Sequence, residues 1–249
     1  MFNAVKAKND CVQWIRKWFD KNGPGCNAAI GISGGKDSSV VAALCVEALG
    51  KDRVFGVMMP NGIQLDINDS YAVVKHLGIK HCVIDIFPMM EDFAGSLDRA
   101  NIELSNQATI NLPPRIRMAT LYAISQSVNG RVVGTDNASE AYIGYSTRWG
   151  DNVADLMPIL NFTSDEVVAI GDALGLPYDL VHKTPSDGLC GKTDEDNFGF
   201  TYEELNKYIR TGVCENEAVK AKIDYLHHKN LFKMQPIPSF VPIGVHSDD

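Results

Sequence analysis

The stretch Gly31-Ile32-Ser33-Gly34-Gly35-Lys36-Asp37-Ser38-Ser39 decides the fold, because it joins the apolar run Ala28-Ala29-Ile30 to the helix-forming run Val40-Val41-Ala42-Ala43-Leu44-Cys45-Val46. A short β-prone run, a glycine turn and a helix former predict strand, phosphate loop and helix in that order. Gly34 and Gly35 leave the backbone open to an anion, and the helix start offers unpaired N–H groups and a positive dipole end. Ser33, Ser38 and Ser39 add hydroxyl donors. Asp37 suits a phosphate site only with a divalent cation beside it, which makes magnesium the expected metal.

Two common phosphate motifs fail here. A Walker loop needs Gly-Lys-Ser/Thr after its spacer, and Lys36 is followed by Asp37. Gly31, Gly34 and Gly35 do not give the order G-x-G-x-x-G. The stretch instead resembles the Ser-Gly-Gly-x-Asp-Ser loop of the ATP pyrophosphatase superfamily, whose members split ATP between the α and β phosphates to adenylate a substrate.

Working outward, 249 residues at 45% hydrophobic are enough for one large core. With 23 basic and 31 acidic residues the net charge is −8, which argues against a broad nucleic-acid or anionic-membrane surface. No run approaches membrane-spanning length, and Met1 to Asp10 lacks the apolar core of a leader, so a cytoplasmic protein is expected. Cys11, Cys26, Cys45, Cys82, Cys190 and Cys214 form no C-x-x-C pair and are expected to be reduced thiols.

Val5, Val12, Ile15, Trp18 and Phe19 predict an opening amphipathic helix. Its two tryptophans and phenylalanine are more aromatic surface than a short helix leaves exposed, so they point to a homodimer. Strands are predicted at Arg53 to Met59, His81 to Ile86 and Arg131 to Thr135. Between and after them come helices at Asp66 to Leu77, Met89 to Leu97 and Pro114 to Val128, then from Thr163 to Leu174, Tyr202 to Arg210 and Glu215 to His228. The alternation predicts an α/β, doubly wound, mostly parallel sheet with helices on both faces and ligands at the carboxyl ends of the strands. No internal repeat or linker marks a second domain, so a single domain spanning 1–249 is expected.

The fourth strand leads into Gly134-Thr135-Asp136-Asn137-Ala138-Ser139-Glu140, and Gly144-Tyr145-Ser146-Thr147-Arg148-Trp149-Gly150-Asp151 follows closely. So dense a run of polar and glycine residues reads as a binding loop. Together with Ala154-Asp155, Lys183-Thr184-Pro185-Ser186-Asp187-Gly188-Leu189 and His228-Lys229, these motifs make the chain similar to the ammonia-dependent NAD synthetases. The resemblance covers most of the chain after Ala28. It implies an adenine nucleotide alpha hydrolase-like fold and the amidation of deamido-NAD by ammonia through an adenylate, with ATP as co-substrate. Gly31, Ile32, Ser33, Gly34, Gly35, Lys36, Asp37, Ser38, Thr135, Ser164 and Ser186 are the residues it implies for ATP, and Asp37 and Glu140 those for magnesium. Arg115, Arg148, Asp155, His228 and Lys229 would meet deamido-NAD, and Asp151 the ammonia. Asp37, Glu140 and Asp151 are thus the expected catalytic carboxylates.

Two positions depart from the family pattern. Ser164 stands where many relatives carry an ATP-contacting lysine, and Met58 where many carry an arginine, although Gln64 keeps its place. Lys36 or Lys192 could supply the missing charge. The segment Pro185 to Gly199 is expected to act as a lid. With the phosphate loop starting some thirty residues in, no glutaminase domain is expected before it. Other ATP pyrophosphatases (tRNA thiolation, GMP or asparagine synthetase types) and a non-catalytic nucleotide-binding module remain open at the level of sequence.

Overall fold

A computed structural model describes residues 2–183 and 193–240. At its centre is a four-stranded, all-parallel sheet in the order β3-β2-β1-β4, formed by Asn27–Gly31 (β1), Val54–Met58 (β2), Lys80–Val83 (β3) and Gly130–Val132 (β4). Ala28 pairs with Val54 on one side and with Arg131 on the other, so β1 is central. The chain crosses from one side of β1 to the other only on reaching β4. That reversal of direction opens a crevice beyond the carboxyl ends of β1 and β4.

Successive residues of β1 serve opposite faces, as a buried parallel strand requires. Ala28 and Ile30 pack with helices Ala4–Asn22 (α1), Lys36–Leu49 (α2) and Ser164–Ala173 (α7), whereas Ala29 meets Val57, Val132 and Leu121 of Asn106–Ser127 (α5). Helices Ile67–Leu77 (α3) and Phe87–Arg99 (α4) flank β3, and Ala138–Ile143 (α6) follows β4. After the short helices Tyr178–Val181 (α8) and Asp194–Phe198 (α9), Tyr202–Thr211 (α10) and Glu217–Asn230 (α11) build a second apolar cluster around Phe198, Leu205, Ile223 and Ile143. Among the described residues no helix is long and apolar enough to cross a membrane.

The predicted elements are present, with three corrections. The long helix starts at Asn106 rather than Pro114, because Ser105 caps it by accepting from the Ala108 N–H at 3.2 Å. Pro113 and Pro114 lie inside it, and burial of Leu112 and Pro113 holds the turns whose rungs the prolines remove. The third strand ends at Val83 because Asp85 draws the chain aside, its Oδ1 accepting from the N–H groups of Gly62 and Phe87 at 2.9 Å each. The opening helix does not leave its aromatic stripe exposed. Phe19 is 1% exposed and Trp18 packs on the main core, which leaves only Trp14 at the surface, so this helix no longer argues for a dimer.

Replacing Phe19 by Ala should therefore cost about 3–5 kcal/mol of folding free energy, whereas Trp14→Ala should stay within about 0.5 kcal/mol, as read from denaturant melts. Similar losses at both positions would contradict the packing of α1.

Candidate active site

The phosphate loop is a strained turn that only glycine fits. Gly34 has φ +82°, and a Cβ there would come within 2.7 Å of the Ser70 backbone nitrogen at the start of α3. Ser33 Oγ lies 3.0 Å from Ser38 Oγ and accepts from the Gly35 N–H at 3.2 Å, while the Ser38 and Ser39 hydroxyls reach the Gly35 carbonyl. The serines thus brace the loop from within, and Gly35 leads into the 14-residue helix α2 without a side-chain cap. Ile32 is buried beneath it.

Across the crevice, Thr135 and Asp136 leave β4 and Asn137 starts α6. Asn137 caps that helix, its Oδ1 accepting from the N–H groups of Ser139 and Glu140 at 2.9 and 3.1 Å, and Glu140 closes the capping box. The Asn137 amide also donates to Asp37 Oδ1 at 3.1 Å, which ties the two banks together. Asp37 Oδ2 accepts from Lys36 Nζ at 2.8 Å.

Asp37, Asp136 and Glu140 crowd one another. Burial, then Asp37, push the Glu140 carboxyl up to about 8. Asp136, 5% exposed, is raised well above the carboxylate range by burial and by Asp151, Glu140 and Asp37, and its Oδ2 has no hydrogen-bond partner. The crevice is short of positive charge. Among the described residues no group of three or more His, Cys, Asp and Glu side chains stands ready to ligate a metal. A cation fits all the same: two carboxylates with phosphate oxygens and water suffice for a magnesium-like ion, and an unpartnered buried oxygen is what such a charge would relieve. Asp136 was visible in sequence only as one polar residue in a run. Its burial comes from the packing of chain distant in sequence, for which no local signal exists.

A second group of predicted residues gathers around the loop 144–152. Gly144 has φ +64°, and a Cβ there would overlap Asn230. Asn230 donates to the Ile143 carbonyl, and Lys233 Nζ to those of Gly144 and Ser146, so the end of α11 and the turn Leu231–Lys233 after it clasp the loop. Arg148 stacks between Trp149 and Phe232, 4.8 and 5.1 Å from their ring centres, and its carbonyl accepts from Arg115 Nε at 3.3 Å. His228 and Lys229 are exposed on the same helix end, His228 Nδ1 meeting the Asp224 carbonyl and Lys229 resting over Tyr225. Asp151 accepts from the Thr147 N–H at 2.6 Å; solvent reaches it, yet the protein around it raises its carboxyl. Asp155 instead turns to the sheet edge, accepting from the Val132 N–H at 2.8 Å and from Tyr122 Oη at 3.3 Å.

The two departures have local explanations. Met58 is fully buried in the core, and Arg117 brings a cation to that end of β2, donating to the Met59 carbonyl at 2.9 Å. Gln64 is turned onto Asp66 at 2.9 Å. Ser164 is wired to Ser139 and Asn206, each at 3.0 Å. Ser186 and Lys192, with most of the expected lid, lie outside the described residues; beyond them Asp194 starts α9, and its carboxylate accepts from Tyr202 Oη at 3.1 Å.

Residues 7–237 match the family model of NAD synthase. The chain belongs to the NAD synthase family. It is 36% identical over 235 residues to the NH(3)-dependent NAD(+) synthetase of Finegoldia magna, covering 92% of this chain and 95% of that one. An NMN synthetase from Francisella tularensis superposes with a TM-score of 0.88 at 32% identity, over 98% of this chain and 100% of that one. The NH3-dependent NAD synthetase from Campylobacter jejuni gives 0.78 at 26% identity over 97% and 100%. The sheet and its helices are thus those of an NAD synthase.

The crowding of this NAD synthase-family crevice has a measurable sign. Glu140 stays protonated in the folded chain up to about 8 instead of its ordinary 4.5, so between those values the folded state holds a proton that the unfolded state has released. Stability should therefore fall as pH rises through that window. In metal-free protein the melting temperature should decline from about pH 5 to about pH 8, and Glu140→Gln should flatten the decline without abolishing it, because Asp136 acts in the same sense. Equal slopes in both proteins would clear Glu140.

Proposed function

We propose that the chain amidates deamido-NAD with ammonia to give NAD, AMP and pyrophosphate, with ATP as co-substrate. The observation that carries this reading is the crevice at the sheet's reversal point, where a phosphate loop bearing Asp37 faces Asp136 and Glu140 in a chain of the NAD synthase family. The α2 amides and the loop hydroxyls hold the ATP phosphates. Asp37 and Glu140 hold magnesium, which supplies charge neutralisation of the phosphate oxygens when bound. Arg148 and Arg115, with His228, Lys229 and Asp155, position the dinucleotide so that its nicotinate carboxylate faces the α-phosphate. The carboxylate oxygen bonds to that phosphorus as the bond to pyrophosphate breaks. Ammonia then attacks the acyl carbon, AMP leaves with the electron pair, and Asp151 takes the surplus proton.

NAD should form with ammonium as nitrogen donor and not with ammonia-free glutamine. Asp37→Asn and Glu140→Gln should each lower pyrophosphate release at least about 100-fold while the protein stays folded, whereas Asp151→Asn should slow amide formation more than adenylation. Turnover within a few-fold of normal in the first two variants, or equal slowing of both steps in the third, would remove those roles.

One comparison favours a second reading, that the acid amidated is the mononucleotide, since the likeness at TM-score 0.88 is to an NMN synthetase. Comparison of kcat/KM for the two acids decides it: preference for deamido-NAD is expected, and preference for nicotinate mononucleotide would establish the alternative.

We also propose a homodimer, supported by Phe87, Met89 and Phe93 of α4 and Ile110 of α5, all exposed on two helices that pack against each other, α5 lying on one face of the sheet. Light scattering should give twice the chain mass, and Phe93→Asp should halve it. A monomeric, fully active wild type would count against this.

A further inference from the structure

The loop 144–152 is held near both of its ends by one residue outside it. Lys233 closes the turn Leu231–Lys233 after α11 and is half-buried against the loop. Its Nζ donates to the Gly144 carbonyl at 2.7 Å and to the Ser146 carbonyl at 3.0 Å, while its own carbonyl accepts from the Asn152 amide at 3.2 Å. Asn152 in turn accepts from the Trp149 N–H at 2.9 Å, and the Gly150 N–H donates to the Thr147 carbonyl at 2.9 Å. A lysine ammonium has three donors, and Lys233 spends two of them on the backbone of this loop.

The Ser146 carbonyl and the Thr147 N–H belong to one peptide unit, which is planar, so whatever fixes one end fixes the other. At the far end of that unit the Thr147 N–H donates to Asp151 Oδ1 at 2.6 Å, and the Thr147 hydroxyl donates to Asn111 of α5 at 2.8 Å. Ammonium, peptide and carboxylate therefore stand in one hydrogen-bonded row, in which a cation on the carbonyl strengthens the N–H as a donor. The charge also reaches Asp151 through space. Burial holds the Asp151 carboxyl above its ordinary value, and the Thr147 N–H and Lys233 draw it back down. Arg117 of α5 and Asp136 beyond β4 face it too, with opposite signs. Burial lowers the pKa of Lys233 and Asp151 opposes that against Lys229, so ammonium and carboxylate sustain each other's charge.

We propose that Lys233 is the positioning residue of the ammonia site: through the peptide between Ser146 and Thr147 it aims the Asp151 carboxylate, and its charge keeps that carboxylate ready to take a proton. This rests on the reading of Asp151 as the group that meets ammonia. Lys233 itself transfers no proton. As nitrogen bonds to the acyl carbon, the bond from that carbon to the AMP oxygen breaks, its electron pair leaves with AMP, and the proton shed by nitrogen passes to Asp151. A carboxyl group that is already protonated cannot receive it. A cation behind the peptide therefore matters at this step and not at adenylation, which asks nothing of Asp151.

The test is single-turnover amide formation. Adenylate is built up from ATP and deamido-NAD without a nitrogen donor, ammonium is added so that un-ionised ammonia stays constant across a pH series, and NAD is measured after quenching; pyrophosphate release reports adenylation. Lys233→Gln keeps N–H donors for the two carbonyls and removes the charge. It should move the acid limb of amide formation up by about 0.5–1 pH unit, which is about 3- to 10-fold in rate below the limb, and change adenylation by no more than about 2-fold. Lys233→Arg keeps the charge and should hold the limb close to that of the wild type. Asn230→Ala loosens the same clasp at the Ile143 carbonyl without touching a charge, and should leave the limb in place. A limb unmoved in Lys233→Gln overturns the proposal, as does an equal shift in Asn230→Ala or a parallel loss of adenylation and amide formation. Should Lys233→Gln fail to fold, Lys233→Ser, too short to reach either carbonyl, is read by the same criteria. An Asp151→Asn protein with the wild-type acid limb fails the ammonia reading of Asp151 itself, whereas a limb that is lost in Asp151→Asn and unmoved in Lys233→Gln fails only the role of Lys233.

Discussion

Asp37, Asp136 and Glu140 share one poorly hydrated crevice, and their mutual repulsion sets the terms for everything around them. Like charges brought together away from water cannot all remain ionised. The chain meets this with the Lys36 ammonium and the Asn137 amide on Asp37 and with a protonated Glu140 over much of the neutral range. In the reaction proposed above, a metal with triphosphate would replace all of these arrangements at once. The packed sheet beneath holds the carboxylates close despite the cost: Ile30, Val57 and Val133 are at most 1% exposed, so neither strand end can retreat.

The parts of this arrangement legible in sequence are those fixed locally. The apolar run at Ala28, the glycines at 34 and 35 and the apolar run from Val40 act within a few positions of one another, so strand, turn and helix follow directly. The helix ending at Gly78 was equally plain, because a left-handed glycine closes it. What composition could not give was depth. The aromatic residues of α1 look the same whether they face a partner or the core, and only packing against α2 and α7 sends Phe19 inward. Pro114 looked like a helix start because proline suits a first turn, and Ser105 outcompeted it by offering a true cap.

The candidate site divides along the same line. Asp37, Glu140 and the loop serines stand in recognisable motifs, and the structure brings them to the two banks of one crevice. Asp136 and Arg117 carry no local mark: one is an acid in a polar run, the other an arginine on a helix, and each owes its place to contacts made across the sheet. Family resemblance supplied most of the substrate residues. Arg148 and Lys229 do lie at one end of the molecule, and the clasp by Asn230 and Lys233 that holds the loop there was not visible in sequence.

That clasp bears on the order of synthesis. Residues 27–132 contain every strand of the sheet, so the nucleotide half of the crevice can take shape while the chain is still emerging. Lys233, which fixes the carbonyls of Gly144 and Ser146, follows about a hundred residues later. A ribosome-bound chain can therefore own the glycine loop at 31–39 long before the loop at 144–152 is held in place. The loop at 144–152 is thus held by chain made long after the sheet beneath it.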